Sequence, residues 1–181
     1  MLNVAVLYSH RAPGVDVLFA DPSLNVACIR RADAPKQISR REAYDAETVE
    51  LLQAFRADTV ILCCYLKVVT GPLLDAFRGR MINLHDGTAD FPGLHATRDA
   101  IFAGERATFA IAHLVDEHVD KGELLVRSKP FLVAPLAHDA VRWGAIDIAK
   151  AYAYAHREWV IRSAWGPLMR EAIAVLQEVA A

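Results

Sequence analysis

The sequence predicts an α/β fold, in which a doubly wound, mostly parallel sheet is followed by C-terminal helices. Short apolar runs alternate with helical patterns as far as residue 85, as they do when crossover helices join parallel strands. Residues 59–64 form a continuous apolar run, which is expected of a strand that helices cover on both faces. From about residue 138 the pattern is helical to the end. A single domain over residues 1–181 is expected from this length.

The first elements follow from apolar runs and one capping pattern. Leu2–Tyr8 and Leu24–Arg30 are strand-like runs, and the interval between them has room for only a stub of helix. Ser39 and Glu42 have the spacing of a capping box, which predicts the start of the next helix. Charged side chains of this helix, Asp45 among them, are assigned to its solvated surface. Its face toward the sheet is predicted to contain Tyr44, Thr48, Leu51, Leu52 and Phe55.

The second half of the chain continues the alternation and then reverses direction. Two extended pieces, 108–115 and 123–133, are joined by a reversal at 119–122, which predicts an antiparallel addition to the sheet. The other elements predicted before the tail are a short helix over 71–77, a strand over 80–85 and a helix over 96–103.

The C-terminal tail is predicted to be helical and rich in aromatic side chains. Pro167 follows Gly166 and is expected to interrupt the helix, because proline lacks the backbone N–H that a helix interior uses. Trp159 and Trp165 could pack within the chain or support a homodimer interface, and the sequence leaves both open. Further packing surface is expected from Trp143, Ile146, Ile148, Ala149, Tyr152 and Val160.

The composition argues against several classes of partner. With a net charge of −2, 54% hydrophobic and 23% charged residues, the chain has an ordinary globular balance that does not favour nucleic acid. No membrane association is expected, because no apolar run approaches the roughly 20 residues of a membrane-spanning helix. The N-terminus is too polar for a signal peptide. Cys28, Cys63 and Cys64 are expected to be buried, reduced thiols of a cytoplasmic protein.

Three polar side chains near the ends of strand-like runs form the candidate active site. Asn83 and His85 lie two residues apart and point to one face, at the edge where open α/β sheets bind ligands. Asp120 lies in the reversal after the next long strand. An amide donor, an imidazole and a carboxylate together can polarise a carbonyl group and move a proton. The set suits acyl transfer through a tetrahedral intermediate; the alternative is a structural strand end bonded to backbone.

Other polar residues have less specific patterns. His10 and Arg11 follow the first strand and could contact an anionic or polar substrate group, or could lie in a solvated turn. His95 and His113 could line a pocket, although such histidines are more often structural.

The order and spacing of three short patterns resemble the motif of the folate-dependent formyltransferases: Asn83-x-His85, then Pro92-Gly93-Leu94, then His113-x-Val115 with Val119-Asp120-x-Gly122. The likeness extends from about residue 41 to about residue 133. It implies a Rossmann-like core, 10-formyltetrahydrofolate as the formyl donor and no metal. It also implies that Asn83 and His85 polarise the formyl carbonyl while Asp120 manages protons. The donor slot that it implies is formed by Leu62, Leu66, Lys67, Val69, Val115 and Glu117.

The chain departs from this family on the acceptor side. The family often has Pro-Ser-Leu-Leu-Pro after its histidine, whereas residues 86–90 here are Asp-Gly-Thr-Ala-Asp. Asp86 and Gly87 are assigned to acceptor binding, and Asp86 could meet a cationic amine or be a residue of an exposed turn. The glycinamide ribonucleotide enzymes have a glycine-rich phosphate loop after the first strand, but residues 9–14 contain one glycine. The resemblance therefore implies formyl transfer to a primary amine of a different small molecule.

Three other functions stay open at this point. The same site could transfer the formyl group to water, which would make the protein a 10-formyltetrahydrofolate hydrolase. His85, Asp86, His113 and Asp120 are of residue types that bind Zn²⁺, although no HxxxH or HxH pair supports a metal-dependent hydrolase. The fold could also bind a folate or a nucleotide without turnover.

Overall fold

A six-stranded, mostly parallel sheet forms the centre of the molecule, which the computed structural model describes over residues 1–88 and 90–180. The strands are β1 (Leu2–Tyr8), β2 (Leu24–Arg30), β3 (Thr59–Leu62), β4 (Met81–His85), β5 (Ala107–Thr108), β6 (Ile111–Leu114), β7 (Leu124–Arg127) and β8 (Phe131–Leu132). The central sheet has the order β2-β1-β3-β4-β6-β7, and β5 pairs with β8 separately. Strands β1 to β4 are parallel, whereas β6 and β7 run antiparallel beside β4. The predicted α/β class and its antiparallel addition are confirmed.

Helices cover both faces of this sheet. They are α1 (Asp16–Phe19), α2 (Ile38–Ala54), α3 (Gly71–Ala76), α4 (Ala96–Phe102), α5 (Pro135–Arg142) and α6 (Ile146–Ala180). Within β1, Val4 and Val6 join the apolar cluster that includes α6, whereas Ala5 and Leu7 join the cluster that includes α2 and α3. Alternate residues of one strand thus pack on opposite faces. Coverage on both faces explains why these strands are apolar throughout.

Helix α2 differs from the prediction at its start and in its buried face. It begins at Ile38 instead of after a capping box, and its N-cap residue Gln37 makes no side-chain capping bond to the described residues. Asp45, assigned to the surface, is buried and accepts bonds of 2.7 Å from the backbone N–H and the hydroxyl of Thr70. These bonds compensate for burial of the carboxylate and fix the start of α3. Leu51, expected on the buried face, is 45% exposed.

Helix α6 continues through Pro167, so the predicted interruption is wrong. Packing explains the difference: Trp165 and Leu168 beside the proline are each 2% exposed, and burial of such side chains offsets a lost backbone hydrogen bond. The loop after β1 meets the helix at this point. Gly14 has a φ of +78°, and a Cβ there would lie 2.6 Å from the nitrogen of Gly166. Only glycine fits at that crossing.

The surface differs from the prediction at Cys28, Trp143 and Ile148. Trp143 and Ile148, expected to supply packing surface, are 72% and 62% exposed. Cys28 is exposed on the edge strand β2, because one side of an edge strand lacks a neighbour, whereas Cys63 and Cys64 are buried as predicted. Trp165 packs inside the molecule, while Trp159 is 51% exposed, so a homodimer through Trp159 stays a prediction. None of the helices in the two described ranges combines the length and the apolar character that a bilayer span needs.

Candidate active site

The site lies where the carboxyl end of β4 meets the loops after β3 and β6. Asn83 and His85 are two residues apart in β4 and therefore point to the same face. Strand β6 runs antiparallel beside β4 and places His113 directly opposite Asn83. The loop after β6 returns over the same edge with Asp120. A cleft of about 320 Å³ opens here, and all four side chains line it.

The three side chains predicted from the sequence converge in this cleft. The amide nitrogen of Asn83 donates to Oδ1 of Asp120 at 2.9 Å, and Nδ1 of His85 lies 3.5 Å from Oδ2 of the same carboxylate. His113 joins them, with its Nε2 atom 3.2 Å from the Asn83 amide nitrogen and 3.7 Å from Asp120 Oδ1. The His85, His113 and Asp120 side chains are only 6%, 3% and 11% exposed. An amide, two imidazoles and a carboxylate thus share a nearly dry site.

Backbone carbonyl groups determine which ring nitrogens have protons. His113 Nδ1 lies 2.7 Å from the carbonyl oxygen of Leu114, so this nitrogen donates, and Nε2 of the neutral ring is an acceptor. His85 Nε2 lies 3.0 Å from the carbonyl oxygen of Phe91, so it also donates. The His85 Nδ1 atom that faces Asp120 then has a proton only when the ring is charged. A proton that can move between these two groups is what acid–base catalysis requires.

Opposing effects set the pKa of Asp120. Burial raises the pKa of this carboxyl group, but contact with His113, the charge of His85 and a 2.7 Å hydrogen bond from the Gly93 N–H lower it by more. The net pKa of Asp120 is therefore below its ordinary value. The carboxylate is ionised at neutral pH and can accept a proton.

One wall of the cleft matches the predicted donor slot. The six residues assigned to that slot all line the cleft: Leu62, Leu66, Lys67, Val69, Val115 and Glu117. Apolar side chains of the same wall are exposed, with Leu66 at 47%, Val68 at 52% and Val119 at 53%. Exposed apolar groups around a cleft are typical of a site for a large, flat ligand.

The residues assigned to the acceptor have other partners. Asp86 lines the cleft but is 4% exposed, and it accepts bonds of 2.8 and 3.1 Å from the guanidinium of Arg157 on α6. The exposed-turn interpretation of Asp86 is wrong, because this distant partner buries it. Arg11 donates to Glu158 of α6 at 2.6 Å, and His10 is exposed. Neither His10 nor Arg11 is among the described residues that line the cleft.

Comparison with known proteins identifies the family. A family model for formyl transferase matches residues 5–142, more than half of the chain. The chain belongs to the formyl transferase family. Residues 143–180, which include all of α6, lie beyond that match.

Two curated relatives match this chain over part of their own length. The trifunctional purine biosynthetic protein adenosine-3 of Drosophila melanogaster is 37% identical over 94 residues, which are 51% of this chain and 7% of that protein. The phosphoribosylglycinamide formyltransferase of Mycobacterium tuberculosis is 32% identical over 109 residues, 60% of this chain and 49% of that enzyme. The matches span at most about half of these relatives.

Solved structures share the fold of this formyl transferase. A formyltetrahydrofolate deformylase from Pseudomonas syringae has a TM-score of 0.68 at 19% identity and covers 98% of this chain and 62% of its own. The formyltransferase PseJ from Anoxybacillus kamchatkensis, solved with UDP-4,6-dideoxy-4-formamido-L-AltNAc and tetrahydrofolate, has a TM-score of 0.63 at 15% identity and covers 96% of this chain and 78% of its own. At these identities the likeness shows the fold alone.

Glycines explain the spacing of the formyl transferase motif in this chain. A Cβ on Gly122 would lie 1.8 Å from the carbonyl oxygen of Leu114, so only glycine lets the loop pass close enough to place Asp120. Gly93 has a φ of +87°, a backbone angle that residues other than glycine rarely adopt. Its N–H donates to Asp120. Gly87, assigned to the acceptor, packs instead against the imidazole: a Cβ there would lie 2.9 Å from His85 Nε2.

Several cleft residues were missed by sequence reasoning. His113 was treated as more often structural, although the register of an antiparallel β6 would have placed it beside Asn83. Cys64, Arg157 and Trp165 also line the cleft. No local pattern indicates Arg157, because its contact with Asp86 joins residues 71 positions apart.

The four residues proposed for Zn²⁺ line one cleft, but their ligand atoms do not converge on one point. Within the described residues, the only group of three or more His, Cys, Asp or Glu side chains with converging ligand atoms is Asp116, Glu117 and His118, of which the last two are exposed. The Asp86 carboxylate, required by the metal-dependent hydrolase hypothesis, is occupied by Arg157. The geometry therefore favours acid–base chemistry at Asn83, His85 and Asp120.

Proposed function

We propose that this protein is a single catalytic domain that transfers the formyl group of 10-formyltetrahydrofolate to a primary amine of a small acceptor. The observation that supports this most is the convergence of Asn83, His85 and Asp120 in one cleft, with the Asn83 amide 2.9 Å and the His85 ring 3.5 Å from the carboxylate. Membership of the formyl transferase family agrees with this chemistry. PseJ, which has the same fold, was solved with tetrahydrofolate.

The reaction we propose is direct attack. The acceptor nitrogen bonds to the formyl carbon, the bond from that carbon to N10 of the donor breaks, and the proton lost by the amine replaces the formyl group on N10. Asp120 accepts that proton, and charged His85 returns it, because only the charged ring has a proton on the nitrogen that faces the carboxylate. No covalent adduct with the enzyme is required.

Asn83 is the proposed donor to the oxygen of the tetrahedral intermediate. Its amide N–H groups now donate to Asp120 at 2.9 Å and to His113 at 3.2 Å. A formyl oxygen in the cleft would replace one of these acceptors, and the longer bond to His113 is the easier one to replace. The charged His85 ring would supply a second donor to the same oxygen through its Nδ1–H, because Nε2 donates to Phe91.

The proposed donor site is the apolar wall of the cleft. Leu62 and Val115 line it from the inner side, and Leu66, Val68 and Val119 are exposed around it. A flat pterin ring would bury these groups and place its one-carbon unit toward Asn83.

The acceptor in this proposal is not a phosphoribosyl compound. The loop after β1 packs against α6 where Gly14 meets Gly166, and the Arg11 guanidinium of that loop is bonded to Glu158. The Arg11 guanidinium is therefore already paired and is not available to a phosphate. The paired state of Asp86 and Arg157 also favours a second candidate, hydrolysis of the donor, because water needs no charged recognition group.

The test is to incubate the protein with 10-formyltetrahydrofolate and a panel of primary amines that includes amino sugars, amino acids and glycinamide ribonucleotide. Mass spectrometry should find a gain of one formyl group on an amine other than the ribonucleotide. Formate released without any amine would replace the transferase with the hydrolase. Neither product from a folded protein would overturn the proposal, and the Asp120→Asn variant supplies the background rate.

A further inference from the structure

Helix α6 contributes an arginine to the carboxyl end of β4, next to the proposed catalytic histidine. Arg157 Nε donates to Asp86 Oδ2 at 2.8 Å, and Arg157 Nη2 donates to Asp86 Oδ1 at 3.1 Å. Two parallel bonds of this kind fix the orientation of both partners. Arg157 lies outside residues 5–142, where the family model matches.

Asp86 is bonded from a second helix as well. The hydroxyl of Thr97 in α4 lies 2.7 Å from the backbone carbonyl oxygen of Asp86 and 2.9 Å from its Oδ2 atom. Thr97 is fully buried, and Asp86 is 4% exposed. The residue that directly follows His85 is therefore fixed between α4 and α6. Loss of Arg157 would leave a buried carboxylate without its opposite charge, which is a costly state.

The loop that begins at Asp86 makes three contacts with the proposed catalytic groups. Gly87 packs against the His85 ring, and the carbonyl group of Phe91 accepts from His85 Nε2 at 3.0 Å. The N–H of Gly93 donates to Asp120 Oδ2 at 2.7 Å. The position of this loop thus determines both the orientation of the imidazole and the hydrogen bonding of the carboxylate.

We propose that Arg157 is a positioning residue: its two bonds to Asp86 fix the loop after His85, and through that loop they orient His85 and Asp120 for proton transfer. The inference rests on the proposed function for its kinetic test, but the geometry that it asserts can be observed without turnover. Arg157 does not act on the substrate in this proposal.

The main variant is Arg157→Lys, which keeps the positive charge but cannot form the planar pair of parallel bonds that a guanidinium makes to a carboxylate. We expect kcat to fall by roughly 10- to 100-fold, because small displacements of catalytic groups have effects of this order. The KM for 10-formyltetrahydrofolate should change by less than about twofold, since the donor wall lies on the loops after β3 and β6. Arg162→Gln is the matched control, because Arg162 lies on the same helix but its side chain is 75% exposed.

The pH profile separates positioning from simple stabilisation of the fold. If the loop moves, Asp120 loses the hydrogen bond from Gly93 that lowers its pKa. The pKa of Asp120 then rises, and the acid limb of kcat moves to higher pH in Arg157→Lys. The charged groups that face Asp120, His85 of β4 and His113 of β6, are unchanged in the variant. A stability effect alone would lower the melting temperature and leave the limb in place.

A second readout does not depend on activity. The ring nitrogen signals of His85 in ¹⁵N NMR should shift in Arg157→Lys and stay at their wild-type values in Arg162→Gln. Unchanged kcat, pH limb and His85 signals in Arg157→Lys would overturn the inference. If the lysine variant does not fold, Asp86→Asn, which has the same shape, must give the same kinetic and NMR changes. A wild-type protein without turnover would refute the proposed function, and the His85 signals would still decide this inference.

Discussion

The two ends of the cleft are built in different ways. The proposed donor end consists of apolar side chains on the loops after β3 and β6, and Leu66 and Val119 there are about half exposed. At the proposed acceptor end, Arg157 of α6 is bonded to Asp86, and outside the cleft the neighbouring Glu158 is bonded to Arg11. Apolar area suffices to bind a flat ring, whereas selection of an acceptor needs directed polar groups. We therefore expect substitutions to affect donor KM at one end and kcat or acceptor choice at the other.

The largest effect on turnover is expected from substitutions of Asn83 and Asp120, which lie between the two ends of the cleft. Asn83→Ala removes the proposed oxyanion donor and Asp120→Asn removes the proton acceptor, so each should lower kcat by at least about 100-fold. Donor KM should stay within about twofold. Steady-state formyl transfer checks this, with circular dichroism to verify folding. Asn25→Ala, at an exposed asparagine of β2, is the control. Near wild-type turnover in either active-site variant would contradict the role proposed for that residue.

The next effect is the pH dependence of turnover, which reports on Asp120 and not on the residues at either end of the cleft. Because the pKa of Asp120 is lowered by its partners, the carboxylate keeps its charge through the pH range in which an ordinary aspartic acid, with a pKa of about 4, takes up a proton. Turnover should therefore fall only below that range, as Asp120 becomes protonated. The contribution of Asp120 to the free energy of unfolding is likewise present above its unfolded pKa and lost as pH falls through its folded pKa. Carboxyl ¹³C NMR of Asp120 checks the titration, and a midpoint above about pH 4, the ordinary value, would contradict the assignment.

The sequence predicts those parts of the cleft that depend on neighbouring residues, and it misses those that depend on distant ones. Asn83, His85 and Asp120 converge as predicted because strand periodicity and the parallel order of β1, β3 and β4 are local or short-range properties. The donor wall was expected from the resemblance to the formyltransferase motif and not from a local pattern. The burial of Asp45 was missed because its partner Thr70 lies 25 residues away. A solvated and a buried carboxylate look alike in sequence until the partner is known.

The acceptor end was missed for a related reason. The burial of Asp86 depends on Arg157, 71 residues later. The continuation of α6 past Pro167 is a second feature that a local pattern misses. Helix propensity predicts a break at a proline, but packing of Trp165 and Leu168 in the core outweighs it. Long-range ion pairs and helix packing are therefore where local patterns fail in this fold.

A smaller effect should appear at the donor end. Leu66→Ala removes apolar contact from a side chain that is 47% exposed, which is worth about 1 kcal/mol when a ligand covers it. Donor KM should rise by roughly fivefold, with kcat unchanged. Leu136→Ala is the control, because Leu136 is 63% exposed on α5 and does not line the cleft among the described residues. A fall in kcat without a change in KM would mean that this wall takes part in the chemistry.

The smallest effects are expected from the first acceptor candidates, His10 and Arg11. Arg11→Met removes the partner of Glu158, whose side chain is 17% exposed, so the free energy of unfolding should fall by about 1 kcal/mol. Because Arg11 does not line the cleft, kcat and both KM values should stay within about twofold, and His10→Ala should change neither stability nor kinetics. Urea unfolding and steady-state kinetics check both variants. A tenfold rise in acceptor KM for Arg11→Met would show that the acceptor reaches past Asp86 to the loop after β1, and the acceptor end would then be an open site instead of one closed by paired charges.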